Sequence, residues 1–357
     1  MKRYLHEKIR FIATTEHEHV LIVTGAASNV QMERRTRVYT IASPPVPRSG
    51  GYRMLLNLRA VGEVLEHEQP DVIECSDPYQ LGWHVASAAK MLRIPAVAFY
   101  HSHFYEAYFA RIVPRSFAKA YVCALYNRFA ITLTASNALA ATLRDWGVAR
   151  VAAIGLGVDD AIFRLASDKP PREATMLRLL YVGRLAAEKN AALLARNFEE
   201  LNRRGSRFHL VVIGDGPERE RIERLTSGNS NVTWIKYCAD PVELARHYRD
   251  ADLFVHPGVR ETFGLAALEA QACGTPVVGI AGTRMDEAIL HDQSWWALDA
   301  TATALADAIE RAATLDLHTL GEAASRAVHE RFTWRSVFER LFCIYREVCT
   351  NYSGARR

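Results

Sequence analysis

The chain has 357 residues, of which 49% are hydrophobic, and its formal net charge is +4. This length suggests two domains of ordinary size, each able to bury its own core. So small a positive excess argues against a dedicated nucleic-acid-binding protein, which would concentrate lysine and arginine far more. No apolar run approaches the ~20 residues that a membrane-spanning helix needs.

Six cysteines are scattered through the chain, and no two of them have the spacing of metal ligands. Most lie in apolar runs, which favours buried free thiols and a reducing, cytoplasmic setting. The N-terminal segment MKRYLHEKIRF carries charges throughout and has no apolar signal-peptide core. The cysteines are Cys75, Cys123, Cys238, Cys273, Cys343 and Cys349.

The first predicted element is a helix over residues 1–15, with Leu5, Ile9 and Ile12 on one face. A doubly wound domain usually begins instead with a strand that lies centrally in its sheet. Either this domain is unusual, or Met1 is not the natural start and a strand with its loop has been lost.

Short apolar runs rich in valine and isoleucine then alternate with longer amphipathic segments such as 55–69 and 191–205. Continuous apolar strands between amphipathic helices predict parallel sheets that are covered on both faces. The predicted strands are 19–23, 71–75, 96–100, 130–136, 177–183, 208–214, 231–235, 252–257 and 275–280.

The alternation is interrupted once, by the polar and proline-bearing segment 167–176, after which a new strand–helix series begins. Such a segment is typical of a linker. The sequence therefore predicts an α/β protein with two Rossmann-like, doubly wound domains, residues 1–157 and 158–335. A long amphipathic helix over 332–348 is the last regular element, and residues 336–357 are assigned separately from both domains as the C-terminal helix.

The segment RETFGLAALEAQACGTPVV (260–278) has the features of a phosphate-binding helix start. A predicted strand leads into a loop, and a helix begins near Gly264. The amides of Phe263, Gly264 and Leu265 can bind phosphate, because the first turn of a helix has unpaired donors and a positive dipole end. Gly264 also removes a side chain that would block close approach.

Two glutamates accompany this helix start. Glu261 lies in the loop before the helix, and Glu269 lies inside it, roughly one and a half turns on. A carboxylate that accepts two hydroxyl hydrogen bonds suits a cis-diol. One carboxylate can therefore face a sugar and the other a ribose.

Arg184 and Lys189 follow directly after the predicted strand 177–183. Cations at the carboxyl end of a parallel strand point into the ligand crevice. They would neutralise the charge that grows on a departing diphosphate. The alternative, two solvated surface cations, is disfavoured by the preceding strand and by the Glu-Lys-Asn sequence.

In order and in spacing, GRLAAEKN, VIGDGPER and RETFGLAALEAQACGTPVV resemble glycosyltransferase family 4 across residues 177–280. The resemblance implies a retaining enzyme with two facing Rossmann-like domains, the GT-B fold, in which the first domain binds the acceptor and the second the donor. It implies that Arg184 and Lys189 bind the donor phosphates. It also implies that Glu261 contacts the transferred sugar, that Glu269 binds the ribose, and that the last helix crosses back to the first domain.

The chain departs from this family at its start. The strand and glycine-rich loop that approach the donor diphosphate in relatives have no counterpart before the helix at 1–15. The rival hypothesis is therefore a truncated homologue that binds a nucleotide sugar without transferring it. A phosphorylase or a nucleotide-sugar epimerase is a third hypothesis, although epimerases lack the E-x-FG…E pattern of a loop glutamate followed by a helix glutamate.

His101 follows the predicted strand 96–100 and by position faces the cleft between the domains. Similar enzymes carry a histidine of an H-[ST] pair near the transferred sugar, so the resemblance assigns His101 to the catalytic site. A structural histidine is the alternative. A metal site of His101 and His103 is less favoured because no third ligand is evident.

The stretch 104–128 mixes aromatic rings with cations, among them Arg115, Phe117 and Lys119. Rings beside cations suit a membrane interface or an amphiphilic acceptor, whereas the alternative is a helical hairpin packed on its own domain. YHSHFYEAY (100–108) resembles family members that mannosylate lipids or build sulfolipid, which favours a lipid-linked acceptor.

Three other patterns are interpreted as structural. Asp250-Ala251-Asp252 matches the Asp-x-Asp metal motif of a different glycosyltransferase fold but lies where a helix passes into a strand. GDGPER (214–219) lacks the full G-x-G-x-x-G pattern, and EHEH (16–19) lies at a helix–strand turn.

The sequence thus predicts a hexosyltransferase whose co-substrate is a nucleotide diphosphate sugar, with GDP-mannose the first candidate and a UDP-sugar the second. The predicted acceptor is a hydroxyl of a lipid or a glycan. No metal ion is required, because two cations already counter the diphosphate charge. The expected location is cytoplasmic, with contact to the inner membrane face through 104–128.

Overall fold

The computed structural model of the chain describes residues 2–46, 53–101, 113–166, 176–227, 229–259, 261, 263–283 and 285–354. The chain divides into two compact units, residues 1–155 with 337–357, and residues 156–336. The division expected from the sequence has its boundaries at residues 157 and 335. The linker expected at 167–176 lies outside the described residues, apart from Met176.

The strands of the described chain all belong to parallel or mixed sheets. They are β1 His19–Gly25, β2 Asn29–Glu33, β3 Thr36–Ala42, β4 Ile73–Cys75, β5 Ala96–Tyr100, β6 Ile131–Thr134, β7 Val151–Ala153, β8 Leu177–Val182, β9 Phe208–Ile213, β10 Val232–Ile235, β11 Leu253–Val255 and β12 Val277–Val278.

Helices connect most of these strands, as expected for doubly wound sheets. They are α1 Lys2–Ile12, α2 Leu58–Glu68, α3 Gln80–Leu92, α4 Arg115–Tyr126, α5 Asn137–Asp145, α6 Ala191–Arg203, α7 Arg219–Thr226, α8 Pro241–Asp250, α9 Leu265–Ala272, α10 Ala302–Ala312, α11 Leu317–Arg331 and α12 Trp334–Gly354.

In the first unit, the strands form two separate sheets. One has the order β1-β3-β2, with β1 parallel and β2 antiparallel to β3. The other has the order β4-β5-β6-β7, and all its pairs are parallel. Every residue of β5 is buried, which explains why this strand reads as a continuous apolar run in the sequence.

The hairpin of β2 and β3 is not among the strands predicted from the sequence, and neither is β7. All five residues of β2 are exposed, so its sequence lacks the apolar alternation of a half-buried strand. The turn passes through Arg34, whose backbone is left-handed with φ 55°. An arginine gives no turn signal, because glycine and asparagine usually occupy that conformation.

The two ends of the chain also differ from expectation. Helix α1 ends at Ile12, short of the predicted residue 15. Helix α12 continues to Gly354, so the expectation that nothing regular follows residue 348 is wrong.

The second unit contains one five-stranded parallel sheet in the order β10-β9-β8-β11-β12. The chain therefore moves outward from β8 to β10, returns to the other side of β8, and moves outward again from β11 to β12. The start of α8 is capped by a side chain, because the Asp240 carboxylate accepts the amide of Val242 at 2.9 Å. This topology brings the carboxyl ends of β8 and β11 together at one edge of the sheet.

A buried ion pair joins both ends of the chain to the parallel sheet of the first unit. Lys8 of α1 lies 3.3 Å from the carboxylate of Glu74 in β4, and their side chains are only 6% and 11% exposed. Lys8 also donates to the hydroxyl of Tyr345 in α12 at 2.8 Å. Both Tyr345 and Tyr4 donate to Glu74. Burial alone would raise the pKa of Glu74, but the charge of Lys8 and the bond from Tyr345 outweigh it and lower that pKa.

The substitution Lys8→Met tests this pair, because it leaves a buried carboxylate without its cation. We expect the free energy of unfolding at pH 7 to fall by about 3–5 kcal/mol, measured by urea denaturation. Arg59→Met is the matched control, since Arg59 and Glu63 form an exposed pair on α2 that contributes about 0.3–0.5 kcal/mol. Equal losses in the two variants would contradict a structural role for the buried pair.

Candidate active site

The candidate active site lies where β8 and β11 run side by side. Leu179 pairs with Leu253, and Leu180 pairs with Phe254. The direction of chain progress reverses between these two strands. Open α/β sheets bind ligands outside the carboxyl ends of their strands at such a reversal.

The loop after β8 carries both predicted cations. Its 3-10 turn, Ala187–Lys189, ends at Asn190, whose left-handed backbone (φ 56°) begins α6. The side-chain amide of Asn190 donates to the carbonyl of Pro257 in the loop after β11, at 3.2 Å. This bond ties the two loops together beside Lys189. Arg184 is exposed and lies 3.6 Å from Glu188 of its own loop.

Lys189 and Glu261 form a direct ion pair, in which Nζ of the lysine donates to Oε2 of the carboxylate. The two residues lie 72 positions apart in the sequence. His256 directly follows β11, is buried, and places its Nε2 3.5 Å from the same Oε2. The structure thus brings together two of the predicted site residues and adds a third from the end of β11.

The Glu261 carboxylate is held in its charged form. Its burial opposes ionisation, but the hydrogen bond from His256 and the charge of Lys189 outweigh burial and lower the pKa of Glu261 well below its ordinary value. Burial and the nearby Glu261 charge raise the pKa of Tyr181 in β8. At neutral pH this carboxylate can accept hydrogen bonds from hydroxyl groups but cannot donate a proton.

The predicted helix start is present, with Gly264 as the N-cap of α9 in left-handed backbone (φ 84°, ψ 48°). A Cβ at Gly264 would lie only 2.8 Å from Sδ of Met285. The glycine is therefore needed for its own backbone and for packing against Met285, in addition to any approach by a ligand. Phe263 is buried, and its ring lies 5.9 Å from that of Phe332. The amides around Leu265 form the first turn, which has no intrahelical acceptors.

Glu269 lies inside α9 and is only 3% exposed. The hydroxyl of Tyr248 in α8 donates to its Oε2 at 3.1 Å. A ribose diol would therefore share this carboxylate with Tyr248. The ribose-binding role of Glu269 stays a prediction.

Two partners of the glutamates, His256 and Tyr248, are absent from the residues selected on sequence. The available signal for His256 is its position directly after an apolar strand, at the same sheet edge as Lys189. Tyr248 offers no comparable signal, because a tyrosine on an amphipathic helix is usually part of the core.

The loop after β9, which contains GDGPER, is a structural support for the loop after β8. A Cβ at Gly214 would lie 1.9 Å from the carbonyl oxygen of Gly183, and one at Gly216 would lie 2.3 Å from that of Leu185. The amide of Glu218 donates to the same Leu185 carbonyl at 2.9 Å. The backbone of the loop after β9 therefore packs directly against the backbone of the loop after β8.

His101, the predicted catalytic histidine of the first unit, is held by its neighbours. Its ring stacks on Phe99 at 3.9 Å and meets the edge of Tyr4 at 5.5 Å. Its Nε2 lies 3.1 Å from the hydroxyl of Ser76. Burial lowers the pKa of His101 to about 4, so the imidazole is neutral at pH 7. It can exchange hydrogen bonds with a substrate but cannot act there as a cation.

Part of the predicted acceptor stretch, 104–112, lies outside the described residues, and so does His103. In the described part, α4 exposes Arg115, Phe117 and Lys119. Among the helices that the structure describes, none combines the length and apolarity needed to cross a membrane.

Metal ligands do not cluster in the described part of the chain: no three His, Cys, Asp or Glu side chains come close enough there to hold an ion. Asp252 of the Asp-x-Asp pattern accepts the backbone amide of Arg178 at 2.7 Å. That bond fixes the start of β11 to β8, at the boundary expected from the sequence.

Comparisons with known proteins identify the family and the fold. Residues 1–162 match the family described as Glycosyltransferase Family 4, and residues 164–327 match the one described as Glycosyl transferases group 1. The chain is similar in structure to sucrose-phosphate synthase from Thermosynechococcus elongatus, with a TM-score of 0.74 and 22% identity over 98% of this chain and 93% of that one.

Two curated relatives are similar in sequence. A GDP-mannose-dependent alpha-mannosyltransferase of Corynebacterium glutamicum is 34% identical over 74% of this chain and 64% of its own length, slightly less than two thirds. A GDP-mannose-dependent alpha-(1-6)-phosphatidylinositol dimannoside mannosyltransferase of Mycobacterium tuberculosis is 30% identical over 89% of this chain and 85% of its own length.

Two Rossmann-like α/β units, together with the two family matches and the structural similarity, define a GT-B glycosyltransferase. The chain belongs to glycosyltransferase family 4. The fold class, the family and the assignment to hexosyltransferases are thereby confirmed, whereas the roles of the individual site residues stay predictions.

The substitution Lys189→Met tests how strongly the ion pair holds the site together. We expect the free energy of unfolding at pH 7 to fall by about 2 kcal/mol, less than for a fully buried pair because Lys189 is partly exposed. The folded-state pKa of Glu261 is depressed, so the pair stabilises the protein at neutral pH and loses this effect as the pH falls through that pKa. Denaturation at several pH values should therefore show the variant and the wild type converging in acid.

Arg184→Met is the control for that series, since it removes an exposed cation from the same loop and should cost under about 0.5 kcal/mol. A pH-independent loss in Lys189→Met would show that the lysine acts through packing and not through its charge.

Gly264→Ala should destabilise the second unit more than Gly282→Ala does. Both residues have left-handed backbone, with φ 84° and 74°, but a Cβ at Gly282 meets nothing within 4 Å. We expect a loss of about 1 kcal/mol at Gly282 from backbone strain alone, and about 2–4 kcal/mol at Gly264, where Met285 is also overpacked. Denaturant unfolding measures both; equal losses would remove the packing explanation.

Proposed function

We propose that this protein is a retaining glycosyltransferase that moves a hexose, in the first instance mannose from GDP-mannose, to a hydroxyl of a lipid or glycan. The observation that carries the proposal is the pairing of Lys189 with Glu261 at the adjoining ends of β8 and β11. A cation for phosphate and an acceptor for sugar hydroxyls are the two groups that a nucleotide diphosphate sugar needs side by side.

In this proposal, Arg184, Lys189 and the first amides of α9 bind the diphosphate. Arg184 can fork to two phosphate oxygens, while Lys189 acts as a point charge. The bond between the anomeric carbon and the phosphate oxygen breaks, and its electron pair stays on the diphosphate. These donors stabilise the negative charge that grows there, so the chemistry requires no metal ion.

The acceptor hydroxyl then attacks on the face that the diphosphate leaves, which retains the anomeric configuration. A new carbon–oxygen bond forms, and the hydroxyl proton passes to an oxygen of the departing diphosphate. Glu261 contacts the sugar and Glu269 contacts the ribose, and the family resemblance assigns His101 to the transferred sugar as well. The neutral state of His101 suits a hydrogen bond to that sugar and not an ion pair.

Support for the donor and acceptor comes from the relatives and from α4. Both relatives described above are named as GDP-mannose-dependent, and one is named for a phosphatidylinositol-linked acceptor. The exposed Phe117 between Arg115 and Lys119 suits contact with a headgroup region. We therefore favour a lipid-linked acceptor and a peripheral position on the inner face of a membrane.

Calorimetric titration with GDP, UDP and ADP tests the donor. We expect GDP to bind at least about tenfold more tightly than the other two, a difference of ~1.4 kcal/mol. Dissociation constants of the same order of magnitude for all three nucleotides would contradict recognition of guanine.

Release of GDP from GDP-mannose tests catalysis. We expect Lys189→Ala to lower turnover about 10²–10³-fold, as is usual for the loss of one donor to a developing charge. Arg203→Ala, which removes an exposed cation of α6 in the same unit, should leave turnover unchanged. A wild-type protein that binds GDP but releases none with any acceptor would support the non-catalytic alternative.

A further inference from the structure

We propose that His256 is a positioning residue of the donor site, which holds the Glu261 carboxylate in place when Lys189 turns from it to a donor phosphate. This inference rests on the proposed function, because it assumes that Lys189 and Glu261 serve the same donor.

The imidazole of His256 is held from two sides. Its backbone amide donates to the carbonyl of Val278 in β12 at 2.8 Å, which fixes the residue at the end of β11. A Cβ at Gly258 would come within 3.0 Å of Cε1 of the ring, so the ring packs against bare backbone there. Only 7% of His256 is exposed. A ring confined in this way keeps Nε2 directed at Glu261.

Lys189 and His256 contact the same oxygen of Glu261. While the lysine is in place, the imidazole nitrogen lies 3.5 Å away, at the outer limit of an N–H···O hydrogen bond. A lysine ammonium on its flexible stem can turn toward a phosphate group. The oxygen that it leaves then becomes available for a closer bond from His256.

Movement of the lysine withdraws a positive charge from Glu261. The side chain of Glu261 is only 15% exposed, and a desolvated carboxylate is destabilised when a charged partner leaves it. His256 reduces this cost, so the lysine can serve the phosphate while the carboxylate stays ionised and directed at the sugar. Glu261 is thus paired first with Lys189 and then, once the lysine binds phosphate, with His256.

The groups that face this site determine its pH dependence. Glu261 from the same loop and Lys189 from the loop after β8 face the imidazole, and Tyr181 of β8 lies near the same carboxylate. Because an imidazole N–H bond favours the ionised carboxylate, its loss should raise the pKa of Glu261. As the pH is lowered, a variant without this bond should therefore lose activity at a higher pH than the wild type does.

The test compares His256→Leu, which has similar volume and no donor, with His256→Gln, which keeps a donor. The readouts are the release of GDP from GDP-mannose across pH and the affinity for GDP by calorimetry. We expect His256→Leu to lower kcat about 10- to 100-fold, as is typical when a supporting partner of a site residue is lost. The acid limb of its pH–rate profile should move to higher pH, while its affinity for GDP should stay within about twofold of wild type. His256→Gln should recover most of the rate.

His318→Leu is the matched control, because His318 lies 3.4 Å from Glu322 in an exposed histidine–glutamate contact of α11. It should change neither kcat nor the acid limb. If wild type is active and His256→Gln is as impaired as His256→Leu, or if neither variant is impaired, the positioning role is overturned and the proposed function stands. If wild type neither binds GDP nor releases it, the proposed function itself fails, and this inference fails with it.

Discussion

The adjacency of β8 and β11 is the constraint on which the candidate site depends. These strands are separated in sequence by two complete strand–helix repeats, yet they pair directly in the sheet. Only this crossover brings Lys189 within reach of Glu261. Since the carboxyl ends of parallel strands meet at one edge, the side chains that follow them converge without any long excursion of the chain.

The ion pairs Lys8–Glu74 and Lys189–Glu261 differ in a way that matches different roles. Lys8 and Glu74 are nearly inaccessible, and tyrosine hydroxyls supply the remaining hydrogen bonds of the carboxylate. This arrangement does not favour an exchange of partners by Lys8 or Glu74. The Lys189 side chain is 31% exposed and shares the Glu261 oxygen with the imidazole of His256. It can therefore change partners, which a site for a charged ligand requires.

How far the sequence determines these features depends on burial. The strand Ala96–Tyr100 is predictable to the residue because both faces are covered and every position is apolar. The strand Asn29–Glu33 is not, because it is wholly exposed and paired only through its backbone. At the site, order along the chain identifies Lys189 and Arg184 but not which of them pairs with Glu261. That choice, like the place of His256, depends on packing between loops distant in sequence.

The contact of Gly214 and Gly216 with the carbonyls of Gly183 and Leu185 limits which positions of the site can change. Two main-chain segments touch directly there, so neither glycine can acquire a side chain without shifting the loop that carries Arg184. A substitution that alters ligand preference and keeps this loop in place must therefore fall elsewhere, at the rim of the crevice.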